Sequence, residues 1–400
     1  MRIEIPRETE RLGAVLIHST QKVFELDSGL SHDQDSQETE SVIQRIPYDA
    51  LYEIEKQMAI VVPMRNERLK LVEGVLCGIP HQCLTIIVSN SPREPVDRFA
   101  IEQEAFENFS RFIQKDVLVL HQKDPVLAEA CREAGYDHIL DAETGLIKSG
   151  KAEGMILGTL LARISGRKYV GFIDADNYFP GAVQEYIREY AAGFLMSKSP
   201  YTMVRIAWHS KPKIVRDSLF FAKWGRTSRR TNEFLNRLIA EYTGFETEII
   251  KTGNAGEHAL TMELAMLMDY SSGYSIEPYH YINLFEKFGG LPGSALAQEM
   301  ARQHVEIFQI ESRNPHMHDV KGNEHIDEMT YSAMQVIYQS AICPDGLKQL
   351  LGREIEQLKQ RNQEQVWPEI SIYPALADVN LDRFRQVVEV HPFAQALAGV

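Results

Sequence analysis

Residues 169–179, YVGFIDADNYF, decide how this chain is read. Tyr169 to Ile173 form an apolar run without alternation, the pattern of a strand buried on both faces. Asp174 and Asp176 then stand where that strand ends, and side chains at i and i+2 leave an extended chain on the same face. Two hard oxygen ligands at one strand terminus suit a divalent cation that also holds a diphosphate and keeps some of its waters. Such an ion neutralises the charge that develops on a diphosphate leaving group. Taken alone a D-x-D is short, and a helix cap or an Asx-turn uses the same residues. The surroundings therefore carry the weight.

Working outward, MAIVVP (58–63), LTIIVS (84–89) and DVLVLH (116–121) are further buried-strand runs that lead to KYVGFIDAD (168–176). Amphipathic segments lie between and after them. They are 95–114, with Val96, Phe99, Ala100, Phe106, Phe109 and Phe112 at helical spacing, then 154–164 and 181–192. Strand and helix alternating through short connections give parallel strands in an open twisted sheet with helices on its faces. Ligands of such sheets collect at the carboxyl ends of the strands. At that edge the first strand supplies Pro63, Arg65 and Glu67, and the second supplies Ser89 and Asn90. Lys148 and Lys151, in GLIKSGKAEGM, sit between glycines before a helix, where ammonium groups and free helix amides can meet phosphate.

Beyond residue 255 the texture changes to longer helical segments, expected over 256–270, 324–342 and 345–361. The reading divides the chain into an N-terminal extension packed on the core (1–55), a ligand-binding α/β domain (56–255) and a helical C-terminal region (256–400). Segment 27–41 is polar and reads as a loop. VEIFQIES is a further strand, followed by His316 and His318, and Asp319 completes NPHMHD. An HxHxDH hydrolase run fails here because Val320 and Lys321 follow Asp319. One imidazole joined to carboxylates favours Mg or Mn over a closed zinc cage. In TGNAGEH, Gly253 and Gly256 let backbone approach a ligand closely, and Asn254 can also cap a helix.

Composition sets limits on partners. The 400 residues carry 42 Lys plus Arg against 56 Asp plus Glu, a net charge of -14, which repels nucleic acid and anionic membranes. Any anionic substrate therefore needs a local basic site. Segment 205–237 reverses the balance, with nine basic residues against Asp217 and Glu233, and is read as neutralising small polyanionic substrates. The N-terminus lacks a basic start and a long apolar run, and no stretch reaches the roughly twenty apolar residues of a membrane span. Four cysteines without a CxxC pair read as reduced thiols in a cytoplasmic protein.

With these motifs assembled, the chain resembles the mannosyl-3-phosphoglycerate synthases, retaining glycosyltransferases of the GT-A type. The likeness runs through LGAVLIHSTQKVFELDSG, AIVVPMRNE, YVGFIDADNYFPGAVQEY, SKPKIVRDSLFF, RTNEFLNRL, KTGNAGEHALTMELA and NPHMHD, and so spans nearly the whole chain. The resemblance implies a GT-A Rossmann-like sheet and transfer of mannose from GDP-mannose to the 2-hydroxyl of 3-phosphoglycerate with retention. It also implies a divalent ion, Mg or Mn with Co as a further option, and it leaves a homodimer open. By position, Pro63, Arg65, Glu67 and Ser89 match guanosine contacts, and Lys148 and Lys151 match donor-loop contacts. Asp174, Ala175 and Asp176 match the catalytic sugar-nucleotide motif, with Asp176 and His316 as metal ligands. Asn254, Ala255, Gly256, Glu257 and His258 match the acceptor loop. Ala152 and the polar region 31–41 depart from the pattern.

No residue suggests a covalent nucleophile, so a front-face route is expected, in which the leaving phosphate takes the acceptor's proton. The rival readings are a glucosyl-3-phosphoglycerate synthase, another GT-A transferase, a nucleotidyltransferase or a non-catalytic binding protein. A nucleotidyltransferase would want a glycine-rich loop after the first strand, and VVPMRNERLK has none.

Overall fold

The computed structural model describes residues 1–26, 42–115, 117–223, 225–290, 303–318 and 322–390. The segment 27–41, residues 319–321 including Asp319, and Trp224 lie outside them. The N-terminal residues form β1 (Arg2–Glu4), β2 (Thr9–Leu12), β3 (Val15–His18), β4 (Gln21–Glu25) and β5 (Ile43–Arg45), followed by helix α1 (Tyr48–Glu55). Next come β6 (Met58–Met64), α2 (Leu69–Gly78), β7 (Leu84–Ser89), α3 (Arg98–Ile113), β8 (Val117–His121), α4 (Pro125–Glu133), α5 (Lys151–Ile164), β9 (Tyr169–Phe172) and α6 (Pro180–Met196). The expected runs at 58–63, 84–89 and 116–121 and the expected helices at 95–114, 154–164 and 181–192 are all present, with ends shifted by a few residues.

The second half adds β10 (Thr202–Ala207), a hairpin of β11 (Lys211–Val215) and β12 (Ser218–Ala222), and helix α7 (Arg226–Thr243). After them come β13 (His258–Thr261), α8 (Met262–Leu267), β14 (Tyr270–Ser271), α9 (Ile276–Phe288), β15 (Val305–Glu311), helices Asn323–Gln339 and Asp345–Arg361, β16 (Ile372–Tyr373) and a last helix Leu381–Val388. The helix expected over 256–270 is corrected here. Its first part is β13, paired antiparallel with both β9 and β10, and only Met262–Leu267 is helical.

The main sheet runs β5-β1-β4-β15-β10-β13-β9-β6-β7-β8, with β3 paired to β15 and β2 to β3. Strands β8, β7, β6 and β9 are mutually parallel, as are β10, β15, β3 and β4. The reversed β13 joins the two groups, so β9 and β10 point the same way and their carboxyl ends share one edge. This is the mostly parallel, helix-flanked α/β sheet of the GT-A type.

Every residue of β7 and all but Pro63 of β6 are buried, which is why neither strand alternates. Helix α5 lies hard against β6. A Cβ on Gly158 would stand 2.4 Å from a Val61 methyl carbon, so only glycine permits that approach. Met155, Ile156, Leu157, Leu160 and Leu161 on this helix are wholly buried, and each contributes about 2 kcal/mol. That burial anchors the helix so that its first residue, Lys151, reaches the strand edge.

Candidate active site

At the shared edge the loops after β6, β7, β9, β10 and β15 meet the loop that enters β13. Lys151, in the first turn of α5, places its ammonium 2.6 Å from Asp174 Oδ1 and 2.7 Å from Glu277 Oε1 at the start of α9. Burial works against the charge on Lys151, but Asp174 and Glu277 together hold it well above the ordinary lysine value. Lys151 is therefore a permanent cation shared by two carboxylates. The loop entering β13 closes on the same point. A Cβ on Gly256 would lie 2.5 Å from Asp174 Oδ2 and 3.1 Å from Lys151 Nζ, so the backbone passes where no side chain fits.

A second chain of contacts joins the carboxylate loop to His316. Asn177 Nδ2 donates to the Asp174 carbonyl at 2.9 Å and to Glu257 Oε1 at 3.0 Å. Trp208 Nε1 donates to the other Glu257 oxygen at 2.9 Å. The Trp208 ring stacks on His316 with centroids 4.3 Å apart, and Lys211 Nζ lies 3.8 Å from the centroid of the Trp208 ring. His316 Nδ1 is 4.0 Å from Glu257 Oε1. Burial first, and then the charge of Asp174, push the Glu257 carboxyl up to about 7. Burial, with Lys211, His318 and Lys151 adding to it, holds the His316 imidazole well below its usual range, so it stays neutral.

The structure thus brings together Lys151, Asp174, Gly256, Glu257 and His316 from the sequence-based set. Asp176 is buried at the same turn, and Ala175 between the two aspartates packs into the core. Both polar atoms of the buried Asn254 side chain lack a protein partner among the described residues. Pro63 packs beside Gly154 of α5, and Arg65 is exposed. His258 is wholly buried, with Nδ1 3.0 Å from the carbonyls of Ala255 and Gly256, so it braces the loop from within.

Other members of that set point elsewhere. Ser89 is buried and donates to Glu102 Oε2 at 2.7 Å, while Ser91 donates to Oε1 at 2.8 Å. Arg98 binds the same carboxylate and donates to the Glu67 carbonyl at 2.8 Å, which stiffens the strand-end loops. Lys148 Nζ donates to the His138 carbonyl at 3.1 Å and lies 5.3 Å over the Tyr373 ring.

The basic segment divides in the same way. Arg205 is fully buried and binds the carbonyls of Thr252, Gly253 and Glu277. Lys223, Arg230 and Arg237 pair with Glu311, Glu354 and Glu241. From this segment, the charge of Lys211 reaches Glu257 and His316.

Among the described residues no three His, Cys, Asp or Glu side chains form a ready metal cage. The donor set nevertheless fits a hard divalent ion of incomplete protein coordination. His316 Nδ1 is buried without a hydrogen-bond partner among the described residues, and its imidazole is neutral, the form that ligates. Asp176 supplies oxygen at the same edge, and a diphosphate and water would complete the shell. Sequence reasoning missed Glu277, Asn177 and Trp208. Glu277 lies 126 residues from its partner Lys151, and no local pattern marks it.

A GT-A sheet with paired carboxylates at the switch in strand direction, a half-buried cation beside them and a glycine-lined loop closing on the same point defines a nucleotide-sugar glycosyltransferase. Residues 5–388 match the family described as mannosyl-3-phosphoglycerate synthase, and this chain belongs to that family. It is 45% identical over 393 residues to the mannosyl-3-phosphoglycerate synthase of Pyrococcus furiosus, covering 97% of each chain. The enzyme of the same name from Aeropyrum pernix is 36% identical over 380 residues, 94% of this chain and 95% of that one. A crystal structure of glucosyl-3-phosphoglycerate synthase from Mycobacterium tuberculosis, in complex with Mn2+, UDP and phosphoglyceric acid, is 16% identical. It covers 74% of this chain and 84% of its own, with a TM-score of 0.49.

Proposed function

We propose that this chain moves mannose from GDP-mannose to the 2-hydroxyl of 3-phosphoglycerate with retention of configuration, releasing GDP. The observation that carries the reading is the convergence of Lys151, Asp174 and Gly256 at one point of the strand edge, in a chain 45% identical to a synthase of that name. Lys151 is a fixed cation held where negative charge must gather. Its ammonium can hold phosphate oxygens of the donor while Asp174 and Glu277 keep it in place.

Asp176 and His316 would hold a divalent ion, Mg or Mn by the chemistry of the donors, and Co as a further option. That ion, when bound, neutralises the diphosphate as the glycosidic bond breaks. The amide of Asn254 and the backbone at Gly256 offer donors to the phosphate and carboxylate of 3-phosphoglycerate opposite the carboxylate pair. The acceptor hydroxyl then attacks from the face the diphosphate leaves, and its proton passes to the departing phosphate oxygen. Buried Glu257 orients Trp208 and Asn177 around this space. Pro63, Arg65, Glu67, Ser89 and Lys148 remain assigned to the donor side by position, and Ala255 and His258 to the acceptor side.

Among the described residues no helix is long and apolar enough to cross a membrane. The four cysteines are free. Both fit a cytoplasmic enzyme, and a homodimer is compatible with them. The decisive experiment measures GDP release from GDP-mannose with and without 3-phosphoglycerate. Acceptor-dependent release that disappears in Asp176→Ala supports the proposal. Turnover with UDP- or ADP-glucose in place of GDP-mannose would replace the donor assignment, and no turnover with any nucleotide sugar would overturn the enzyme reading.

A further inference from the structure

We infer that Glu185 is a positioning residue that sets the loop carrying His316 and ties it, through helix α6, to the carboxylate pair. Glu185 is almost wholly buried on α6, the helix that begins four residues after Asp176. Its carboxylate faces the turn before His316. Arg313 N donates to Oε1 at 2.5 Å, and Asn314 N and Asn314 Nδ2 donate to Oε2 at 2.9 and 2.6 Å. Three donors from two consecutive residues on one buried carboxylate form a charge-assisted clamp. The loop is also held by backbone bonds from His316 N to Ser210 O at 2.8 Å, Ser312 N to Ala207 O at 3.1 Å and Tyr178 N to Met317 O at 3.0 Å, and by side-chain bonds from Arg313 Nη1 to Phe24 O at 2.6 Å, Ser312 Oγ to Asn314 O at 2.9 Å and His209 N to Ser312 Oγ at 3.3 Å.

The clamp joins the two halves of the site. Asp174 and Asp176 stand just before α6, while His316 comes from the loop after β15, more than a hundred residues later in sequence. A shift of that loop moves His316 relative to Asp176 without touching either side chain. One turn further along α6, Glu189 is wholly buried, and burial together with the charge of Glu185 holds its carboxyl well above the usual range. Glu189 is therefore neutral.

This inference rests on His316 as a metal ligand, so the test separates the two. The full-length protein with GDP is titrated with Mn2+, and free Mn2+ is read by electron paramagnetic resonance in wild type, His316→Ala, Glu185→Gln and Asn314→Ala. The far-UV spectrum and thermal midpoint of each are recorded alongside. Asn314→Ala removes one clamp donor at no change in charge, so it controls for long-range electrostatics and stands in if Glu185→Gln does not fold. All three variants should bind Mn2+ roughly tenfold more weakly, while half-saturation by 3-phosphoglycerate moves far less. Weakening in His316→Ala with wild-type Mn2+ affinity in the folded clamp variants overturns the role of Glu185. Wild-type affinity in His316→Ala instead overturns the ligand reading, and the inference with it.

Discussion

The Lys151 ammonium lies 2.6 Å from Asp174, and the same nitrogen is 2.7 Å from Glu277, so one cation balances two carboxylates from different parts of the chain. Glu277 is nearly inaccessible, with its second oxygen buried and without a partner among the described residues. Removing the cation alone leaves that charge uncompensated. Lys151→Met should therefore cost about 3–5 kcal/mol of stability and abolish transfer. The double variant Lys151→Met/Glu277→Gln should regain at least half of the lost stability, and none of the activity. Urea denaturation of the two single variants and the double closes the cycle, and simple additivity would show that the pair is not coupled.

Gly256 offers a sharper test because its backbone passes so close to Asp174. A Cβ there would meet Asp174 Oδ2 at 2.5 Å, so Gly256→Ala has to displace either the carboxylate or the loop. Overpacking of this kind costs about 1–3 kcal/mol, which a protein of this size tolerates. The larger effect falls on the chemistry, since displacing a reacting group by an ångström costs on the order of a hundredfold in rate. Steady-state kinetics should show kcat falling by that factor with a melting midpoint shifted by only a few degrees. A variant with wild-type kcat would place the reacting centre elsewhere.

Much of this architecture is legible in the residues themselves. Strands β6, β7 and β8 are written as runs rich in Val, Ile and Leu and β9 as Tyr-Val-Gly-Phe, without alternation because they are covered on both faces, and the helices between them keep their 3.6-residue period. His258–Thr261 is the instructive failure. Ala259 and Leu260 favour helix by intrinsic preference, but pairing on both sides with β9 and β10 makes this segment the reversed strand of the sheet. The pairing partners are remote in sequence, so no window reveals them. The site divides along the same line. Asp174, Asp176 and the glycine-flanked loop show in short motifs, whereas Glu277 and Glu185 act across 126 and 128 residues and have no local signature.

Glu257 sets a pH dependence of known sign. Its carboxyl is raised from the ordinary 4.5 to about 7, by burial first and the charge of Asp174 second. The folded protein thus holds this proton more tightly than the unfolded chain. The resulting stabilisation is fully present below pH 4.5, declines as pH rises and is gone above about 7. The difference in unfolding free energy between wild type and Glu257→Gln should drift by roughly 3 kcal/mol across that window. Its slope carries the argument, because glutamine also alters the bonds to Trp208 and Asn177 and so moves the offset. A pH-independent difference would mean that Glu257 titrates in the folded protein as it does in the unfolded chain.

His280 should behave in the opposite way. It is fully buried, its ring lies 4.9 Å from His258 and 5.9 Å from Tyr270, and neither ring nitrogen meets a partner among the described residues. Burial first, then His258 and Arg205, hold it well below its usual 6.5. The folded protein keeps the ring neutral while the unfolded chain takes up a proton, so stability is present above pH 6.5 and is lost as the pH falls below it. Phenylalanine fills a similar volume and has no nitrogen to leave unpaired, a deficit worth about 1–3 kcal/mol. His280→Phe should therefore equal or exceed wild type in urea denaturation at pH 7.5, and its advantage should widen at pH 5. A variant less stable at both values would show that the imidazole does have a partner, most simply a buried water bridging it to the unpaired Nε2 of His258.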